Sequence, residues 1–387
     1  MHNYYVDLHI HIGRTASGRP VKITGAKSLT LTNILYEAAH VKGLNMVGII
    51  DCHVPEVLDE LEQGMNTKGW YEHKDGGVIA GEVTLLLGSE IEVYDEHCQG
   101  PIHVLAFLPT VLAMRAFSGW LKERVKNISL SSQRMYGTGR ELQGVVKQLG
   151  GLFIPAHAFT PFKSLYGKGV KKSLTEVFAP DWIDAIELGL SADTEMADQI
   201  AELHRYPYLS NSDAHSLRKI AREYQEVRMN APTFAELKKA LQQQDGRGVA
   251  ANYGLNPKLG KYHQTTCERC FQPMNPDDER CPACGHHRKV KGVFDRLQEL
   301  KTGGVPPKRP PYIYQVPLEF IPGLGPKTYK KLLDRFGTEM YVLHQATEEE
   351  LEQAVGEKLA KVIILARRGD LSIQAGGGGK YGKVFSE

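Results

Sequence analysis

No apolar run in these 387 residues approaches the roughly 20 needed to cross a bilayer as a helix, so a membrane-spanning protein is not expected. No leader is expected either. Met1, His2, Asn3, Tyr4, Tyr5 and Val6 run straight into a strand pattern, with none of the basic, apolar and small-residue zones of a secretory signal. Cysteine is sparse at six residues, and without a route to an oxidising compartment disulfides are disfavoured, which leaves Cys52 and Cys98 as spare reduced thiols. The expectation is a soluble, intracellular, cytoplasmic protein. Net charge is nearly absent too, at +2 from 47 basic and 45 acidic residues, so the total says little about partners and its distribution must be read instead.

What is present begins with histidines and carboxylates placed just past apolar runs. These are Asp7-Leu8-His9-Ile10-His11, Asp51-Cys52-His53, Gly88-Ser89-Glu90, His103, His157 and Ser212-Asp213-Ala214-His215. Segments 4–6, 46–50, 85–87, 104–107, 152–154, 183–188 and 208–209 read as short β-branched or apolar strands, mostly separated by helical patterns. In a barrel of parallel strands joined by helices, residues at the carboxyl ends of different strands converge on one face. His9 and His11, two apart on an extended chain, point to one side and can grip one ion together; Asp213 and His215 share that spacing. Any single one of His53, His103 or His157, taken alone, reads more readily as a satisfied core or surface histidine than as a ligand. The ordered set of six segments reads as a multinuclear metal site.

These motifs resemble the polymerase-and-histidinol-phosphatase (PHP) superfamily of metal-dependent phosphoesterases. The resemblance implies an α/β fold, a distorted TIM-like (β/α)7 barrel with up to three divalent ions at its carboxyl-end face. Carried over by motif, His9, His11, Glu90 and Asp213 hold one ion, Glu90 with His103 and His157 a second, and His53 and His215 help hold a third. The loop 13–20 lacks the histidine many members carry there, so the third site is short of a ligand and reads as weak, filled only with substrate, or magnesium-bound. Imidazole suits zinc, manganese or iron, and Glu90 and Asp213 are hard oxygen donors, a mixture that fits hydrolysis better than redox work. Ions outnumbering carboxylates attract an anion, phosphate above all. Paired ions acidify a bridging water and stabilise both oxygens of an in-line displacement, which points to phosphoester hydrolysis with Asp213, Glu90, His215 and His53 as the catalytic candidates.

A second metal signature is of another kind. Cys267-x2-Cys270 and Cys281-x2-Cys284, with Pro273, Asn275 and Pro276 turning the chain between them, have the spacing of a small structural zinc ribbon. The basic residues gather just beyond it. From 288 to 335 there are eleven cations against four acids, the electrostatic footprint of a nucleic-acid contact or simply a solvated face. Within that stretch Phe320-Ile-Pro-Gly-Leu-Gly325, followed by Lys327 and an amphipathic run to Phe336, resembles a helix-hairpin-helix element. Gly323 and Gly325 would let backbone amides approach a phosphate, with Lys327 as countercharge. A degenerate second copy is read at Ala354 to Lys361, with Gly356 at its turn.

Barrel, ribbon and hairpin element in this order resemble the endonuclease Q family across essentially the whole chain. That resemblance implies a DNA-repair endonuclease cutting 5′ to uracil, hypoxanthine, xanthine and abasic sites, leaving a 3′-hydroxyl, on a duplex whose damaged nucleotide is flipped out. Expected divisions are 1–255 for the barrel, 256–300 for the ribbon and basic helix, 301–317 for a Pro-rich linker or draped loop, 318–370 for tandem helix-hairpin-helix units and 371–387 for a flexible Gly-rich tail. The tail's Phe385 reads either as a docking point for a sliding clamp or as part of a disordered end. The loop from Phe159 to Lys172, with Lys163, Lys168, Lys171 and Lys172 among aromatics, suits an extruded strand, or is a surface loop whose rings pack down. Arg14 and Arg19 offer a second phosphate contact, and the basic stretch 115–140 a groove wall. The expected cofactors are one zinc in the ribbon and two or three zinc, manganese or magnesium ions in the barrel. Two other classes stay open: a small-molecule phosphomonoesterase of the histidinol-phosphatase type, and a non-catalytic DNA-binding scaffold.

Overall fold

The computed structural model describes residues 1–376 and 382–385. Seven strands make a circuit: β1 (His2–Ile10), β2 (Met46–Ile49), β3 (Val83–Val93), β4 (Ile102–Leu108), β5 (Leu152–Pro155), β6 (Ile186–Glu187) and β7 (Tyr208–Leu209). β1, β2 and β3 are parallel, and β4 is antiparallel to both β3 and β5. A bond from Asp184 N to Phe153 O carries the ring onward between β5 and β6, and two, Ala214 N to His9 O and His11 N to Ala214 O, carry it back to β1; β6 and β7 pair in parallel. The expectation of parallel strands throughout therefore fails at β4. The connection 94–101 is shorter than the dozen or so residues a parallel crossover requires, so the chain can only turn back as a hairpin. That reversal puts His103, at the start of β4, at the same mouth as the ends of its neighbours.

Val6, Leu8, Met46, Ile50, Leu86, Leu105, Phe107, Leu152, Ile154 and Leu209 belong to the inner core. On β1 strict alternation with Val6 and Leu8 would turn His9 and His11 away from this core together with Asp7, so the histidines need a change of parity to face the same space. The pairing of β1 with β2 slips between Asp7 and Ile10, and an irregularity of this kind re-aims the side chains that follow it. Asp7 stabilises the slip: its buried carboxylate accepts from the amides of His9, Ser212 and Ala221.

Strands Tyr224–Met229, Gly248–Gly254 and Tyr312–Tyr314 extend the sheet from the outer edge of β1. The last of these corrects the linker expectation. Residues 312–314 pair in parallel with Gly248–Gly254, and Arg309 is drawn in beneath Tyr208 (3.9 Å) onto Asp198 (2.8 Å), so half of 301–317 is part of the sheet and its packing. Helices Pro326–Phe336, Glu339–His344, Glu348–Val355 and Glu357–Arg368 form the carboxyl-terminal module. It is fastened to the barrel by Lys42–Glu339 (2.7 Å), with both side chains about 5% exposed, and by His344 stacked on Tyr5.

The tail also departs from expectation. Ser372–Gln374 pairs antiparallel with Lys383–Phe385, and Gly376 and Gly382 donate their amides to the carbonyls of Lys258 and Leu259. A Cβ on Gly382 would come within 2.2 Å of the Gln374 carbonyl, so glycine here permits close pairing rather than loose chain. Phe385 is accordingly a strand residue; 377–381 and 386–387 of the expected tail lie outside the described residues. No helix among the described residues is long and apolar enough to cross a membrane.

Candidate metal centre

Each imidazole at the mouth is aimed by a group behind it. His9 turns Nδ1 to Glu187 Oε1 (2.9 Å), and His11 turns Nδ1 to Asp51 Oδ2 (3.2 Å) and Ser131 Oγ (3.1 Å). A carboxylate on one ring nitrogen fixes the tautomer and frees the other nitrogen to bind. The Nε2 atoms of His9, His11 and His103 are buried without a hydrogen-bond partner. A buried polar atom left bare costs about 1–3 kcal/mol, so those of His9 and His11, which face Glu90 and Asp213, are donors shaped for a ligand, whereas that of His103 lies 3.6 Å from Glu92 Oε2.

The carboxylates face them. Glu90 Oε1 lies 2.8 Å from His103 Nδ1, 3.4 Å from His157 Nε2 and 3.5 Å from His9 Nε2, while Oε2 lies 3.6 Å from His11 Nε2. Asp213 Oδ1 is 3.4 Å from His9 Nε2 and 3.5 Å from both His11 Nε2 and His215 Nδ1. Three overlapping donor groups result: His9, His11 and Glu90; His11, Asp213 and His215; Glu90, His103 and His157. Nitrogen with hard oxygen, at separations one small cation can bridge, fits divalent ions. Burial would raise the Glu90 carboxyl, but His103 and Lys22 outweigh it and hold it well below its ordinary range. Burial would likewise lower His9, yet Glu187 and Asp213 hold it well above.

Backbone strain collects at the same place. His157 (φ +30°) and Asp213 (φ +46°) both occupy left-handed conformations, which for such residues persist only where surrounding bonds enforce them. His157 N donates to Glu187 Oε2 at 2.6 Å, and Gly189 leaves the room, since a Cβ there would stand 2.9 Å from His157 Cβ. Arg222 Nε donates to the Ser212 carbonyl at 2.6 Å, bracing the turn that carries Asp213.

Several expected residues lie elsewhere. His53 is not brought to the donor groups: Ser89 Oγ (2.8 Å) engages its Nδ1 and the Leu130 carbonyl (3.3 Å) its Nε2, so neither ring nitrogen is left to ligate. Arg14 folds back onto its own loop, donating to the Gly18 carbonyl at 2.7 Å. In the loop from Phe159 to Lys172 the rings of Phe159 and Tyr166 are buried against each other, which removes them as stacking platforms; Phe162 alone of the three is exposed, edge-on to Tyr262. Lys163 is held at the mouth by Glu92 (2.8 Å), whereas Lys168, Lys171 and Lys172 are exposed on the loop's outer part. Arg296 fastens this loop from beneath, donating to the carbonyls of Tyr166, Val170 and Lys171 at 2.9 Å each. Sequence reasoning missed Glu187, Lys22, Ser131 and Ser132. For Glu187 a signal existed, an acid inside an otherwise apolar strand.

A cavity of about 470 Å³ opens over the donors, lined by Lys22, Ser132, Phe162, Lys163 and Tyr262 among others. A smaller one of about 210 Å³, with Ser191 and Lys261, shares His157, Thr160, Asp213 and Tyr262 with it.

Outside the donor groups of the mouth, Cys267 and Cys284 bring their sulfurs to 3.6 Å, and Cys270 and Cys281 to 3.5 Å. Tetrahedral zinc with bonds of about 2.3 Å sets sulfurs roughly 3.8 Å apart, so the four thiols fit such an ion. Gly323 (φ +82°) makes the turn into helix Pro326–Phe336, with Gly325 at its N-cap and Lys327 in its first turn. Gly356 (φ +85°, ψ 155°) is itself the N-cap of helix Glu357–Arg368.

Residues 193–245 match a protein family described as PHP-associated. Over 385 residues the chain is 57% identical to YqxK of Bacillus subtilis, covering 99% of this chain and 100% of that one. The crystal structure of the lesion-specific endonuclease PfuEndoQ from Pyrococcus furiosus is similar at a TM-score of 0.85 and 35% identity, covering 99% of this chain and 95% of the other. A crystal structure of endonuclease Q with a 27-mer duplex carrying an abasic lesion at the active site gives the same TM-score and identity, covering 100% and 97%.

Proposed function

Because this chain belongs to the endonuclease Q family within the PHP superfamily, we propose that it is a metal-dependent DNA-repair endonuclease that cuts 5′ to abasic sites and to uracil, hypoxanthine and xanthine, leaving a 3′-hydroxyl. The observation that carries this reading is the convergence of bare imidazole nitrogens on Glu90 and Asp213 beneath an open cavity. His9, His11, Glu90 and Asp213 would hold one divalent ion, Glu90, His103 and His157 a second, with His215 beside Asp213. When bound, such ions supply Lewis acidity to phosphate oxygens and acidify coordinated water.

The chain's own groups do the rest. Asp213, held in a left-handed backbone conformation, points its carboxylate at the imidazoles of His9, His11 and His215, which would orient whatever these groups hold. Lys22 and Lys163 line the larger cavity with positive charge for a phosphate. The smaller cavity suits one extruded base rather than a duplex, with Tyr262 in its wall and Phe162 edge-on to that ring from the larger cavity. Deamination exchanges an exocyclic amine for a carbonyl and adds an imino proton, so one donor and one acceptor there would accept uracil and hypoxanthine and leave cytosine and adenine with unpaired groups. The glycine turns at Gly323 and Gly356, with Lys327, would hold the duplex backbone without reading sequence. Cys267, Cys270, Cys281 and Cys284 would hold a structural zinc.

The test is a denaturing gel of labelled duplexes, each with one modified base, incubated with protein and manganese or magnesium. Cleavage one bond 5′ of the lesion is expected, with none on undamaged DNA. Asp213→Ala should abolish cleavage and keep duplex affinity; loss of both would make the residue structural. Hydrolysis of a sugar or amino-alcohol phosphate with no cutting of lesion DNA would replace the proposal by a phosphomonoesterase.

A further inference from the structure

Ile23 stands in water, where a folded chain ordinarily hides such a side chain. It is 76% exposed, at the tip of a four-residue turn closed by Gly25 N, which donates to the Lys22 carbonyl at 2.9 Å. Single exposed apolar residues are common on protein surfaces, and this one would mean little without its mounting. The turn is tied to the metal-binding segments themselves. Lys22 N donates at 2.9 Å to the carbonyl of Ile12, next to His11, and Ala26 N at 2.8 Å to the carbonyl of His215. Val21 N reaches the Gly13 carbonyl at 3.0 Å, and Lys22 Nζ holds Glu90 Oε2 at 3.3 Å and Ser132 Oγ at 2.7 Å. A Cβ on Gly25 would come within 3.1 Å of Gly13 Cα, so the turn and the chain beneath it pack backbone to backbone. Ile23 and Thr24 therefore line the cavity over the donor groups from a support fixed to Glu90 and His215.

We propose that Ile23 is a wedge that enters the base stack of the duplex and fills the gap left by the extruded nucleotide. The proposal rests on the reading above, in which a damaged nucleotide leaves the helix and its 5′ phosphate lies at the metal centre. Extrusion opens a hole in the stack beside that phosphate, and the hole closes again unless an apolar group occupies it. Isoleucine is among the side chains that proteins insert at such steps. A filler has to be apolar, free of partners within the protein and stiff. Ile23 is exposed, its β-branch leaves χ1 little freedom to lose, and its turn is fixed at both ends to the ligand segments. Phe162, also exposed in this cavity, is already engaged, edge-on to Tyr262 at 5.3 Å.

Cleavage of a strand carrying one uracil, compared in duplex form and as the free strand, tests this on the full-length protein, since only the duplex has a stack to hold open. Ile23→Ala should lower kcat/KM on the duplex by about 10- to 100-fold, the worth of an aliphatic side chain withdrawn from apolar contact, and leave the free strand little changed. Ile23→Leu should keep most of the duplex rate. A second readout needs no cutting. A fluorescent adenine analogue placed beside the uracil brightens when it unstacks. It should brighten in a duplex bound by the Asp213→Ala protein and stay quenched in one bound by the protein carrying both Asp213→Ala and Ile23→Ala. Equal losses on duplex and free strand, an undiminished duplex rate, or equal brightening in both proteins each overturn the proposal. Brightening that depends on Ile23, in a chain that cuts neither form, removes the nuclease reading and keeps the wedge.

Discussion

Glu187 touches no phosphate in the scheme above, yet three site residues depend on it: His9 Nδ1, the His157 amide and Asn211 Nδ2 (2.7 Å) all converge on its carboxylate. Replacing it by glutamine keeps the shape and removes the charge that fixes the His9 tautomer. Glu187→Gln should lower divalent-ion affinity by about 10–100-fold, read by competition with a chelating dye. An unchanged affinity would reduce Glu187 to a packing residue. The contrast with His53 shows what a sequence can convey at this scale. Residue type and spacing made both histidine pairs and the two acids readable, because ligand chemistry limits which side chains serve. Where a ring turns depends on neighbours from remote segments, Ser89 and Leu130 for His53, and no spacing rule contains them.

Among elements, the seven strands were legible from apolar runs, while their directions were not. β4 had the composition of its neighbours, and only the length of 94–101 hinted at its reversal. The stretch 301–317 misled because its prolines speak against a ladder, although only 312–314 enter one. The glycine turns were readable because the conformation itself demands glycine. Gly356, at φ +85° and ψ 155°, occupies a region closed to side-chain-bearing residues, so Gly356→Ala should cost about 1–3 kcal/mol in urea unfolding. The same variant should weaken duplex binding in a polarisation assay. Full affinity alongside the stability loss would remove the second hairpin from the DNA contact.

For the molecule as a whole, the junction between barrel and helical module contains a titratable reporter. His344 stacks on Tyr5, and its Nε2 lies 2.6 Å from the hydroxyl of Tyr224, which donates its proton to Gln315. Burial, then Arg367, hold the imidazole down to about 4, below its ordinary 6.5. A depressed histidine contributes stability that is present above 6.5 and lost as pH falls through 4, because the unfolded chain takes up the proton first. The module should therefore become more open to limited proteolysis between pH 6.5 and 4, and His344→Gln should flatten that dependence. Equal cleavage across the range would place the pH response elsewhere.

The buried Lys42–Glu339 pair has one more implication. It pins the module to the rim at a point the chain reaches long before 301–317, so the separation between the glycine turns and the catalytic mouth is fixed by contact and not by tether length. With the glycine turns on the duplex as proposed, a protein assembled this way would work as a calliper, and the strand it could reach would lie at one set span along the helix.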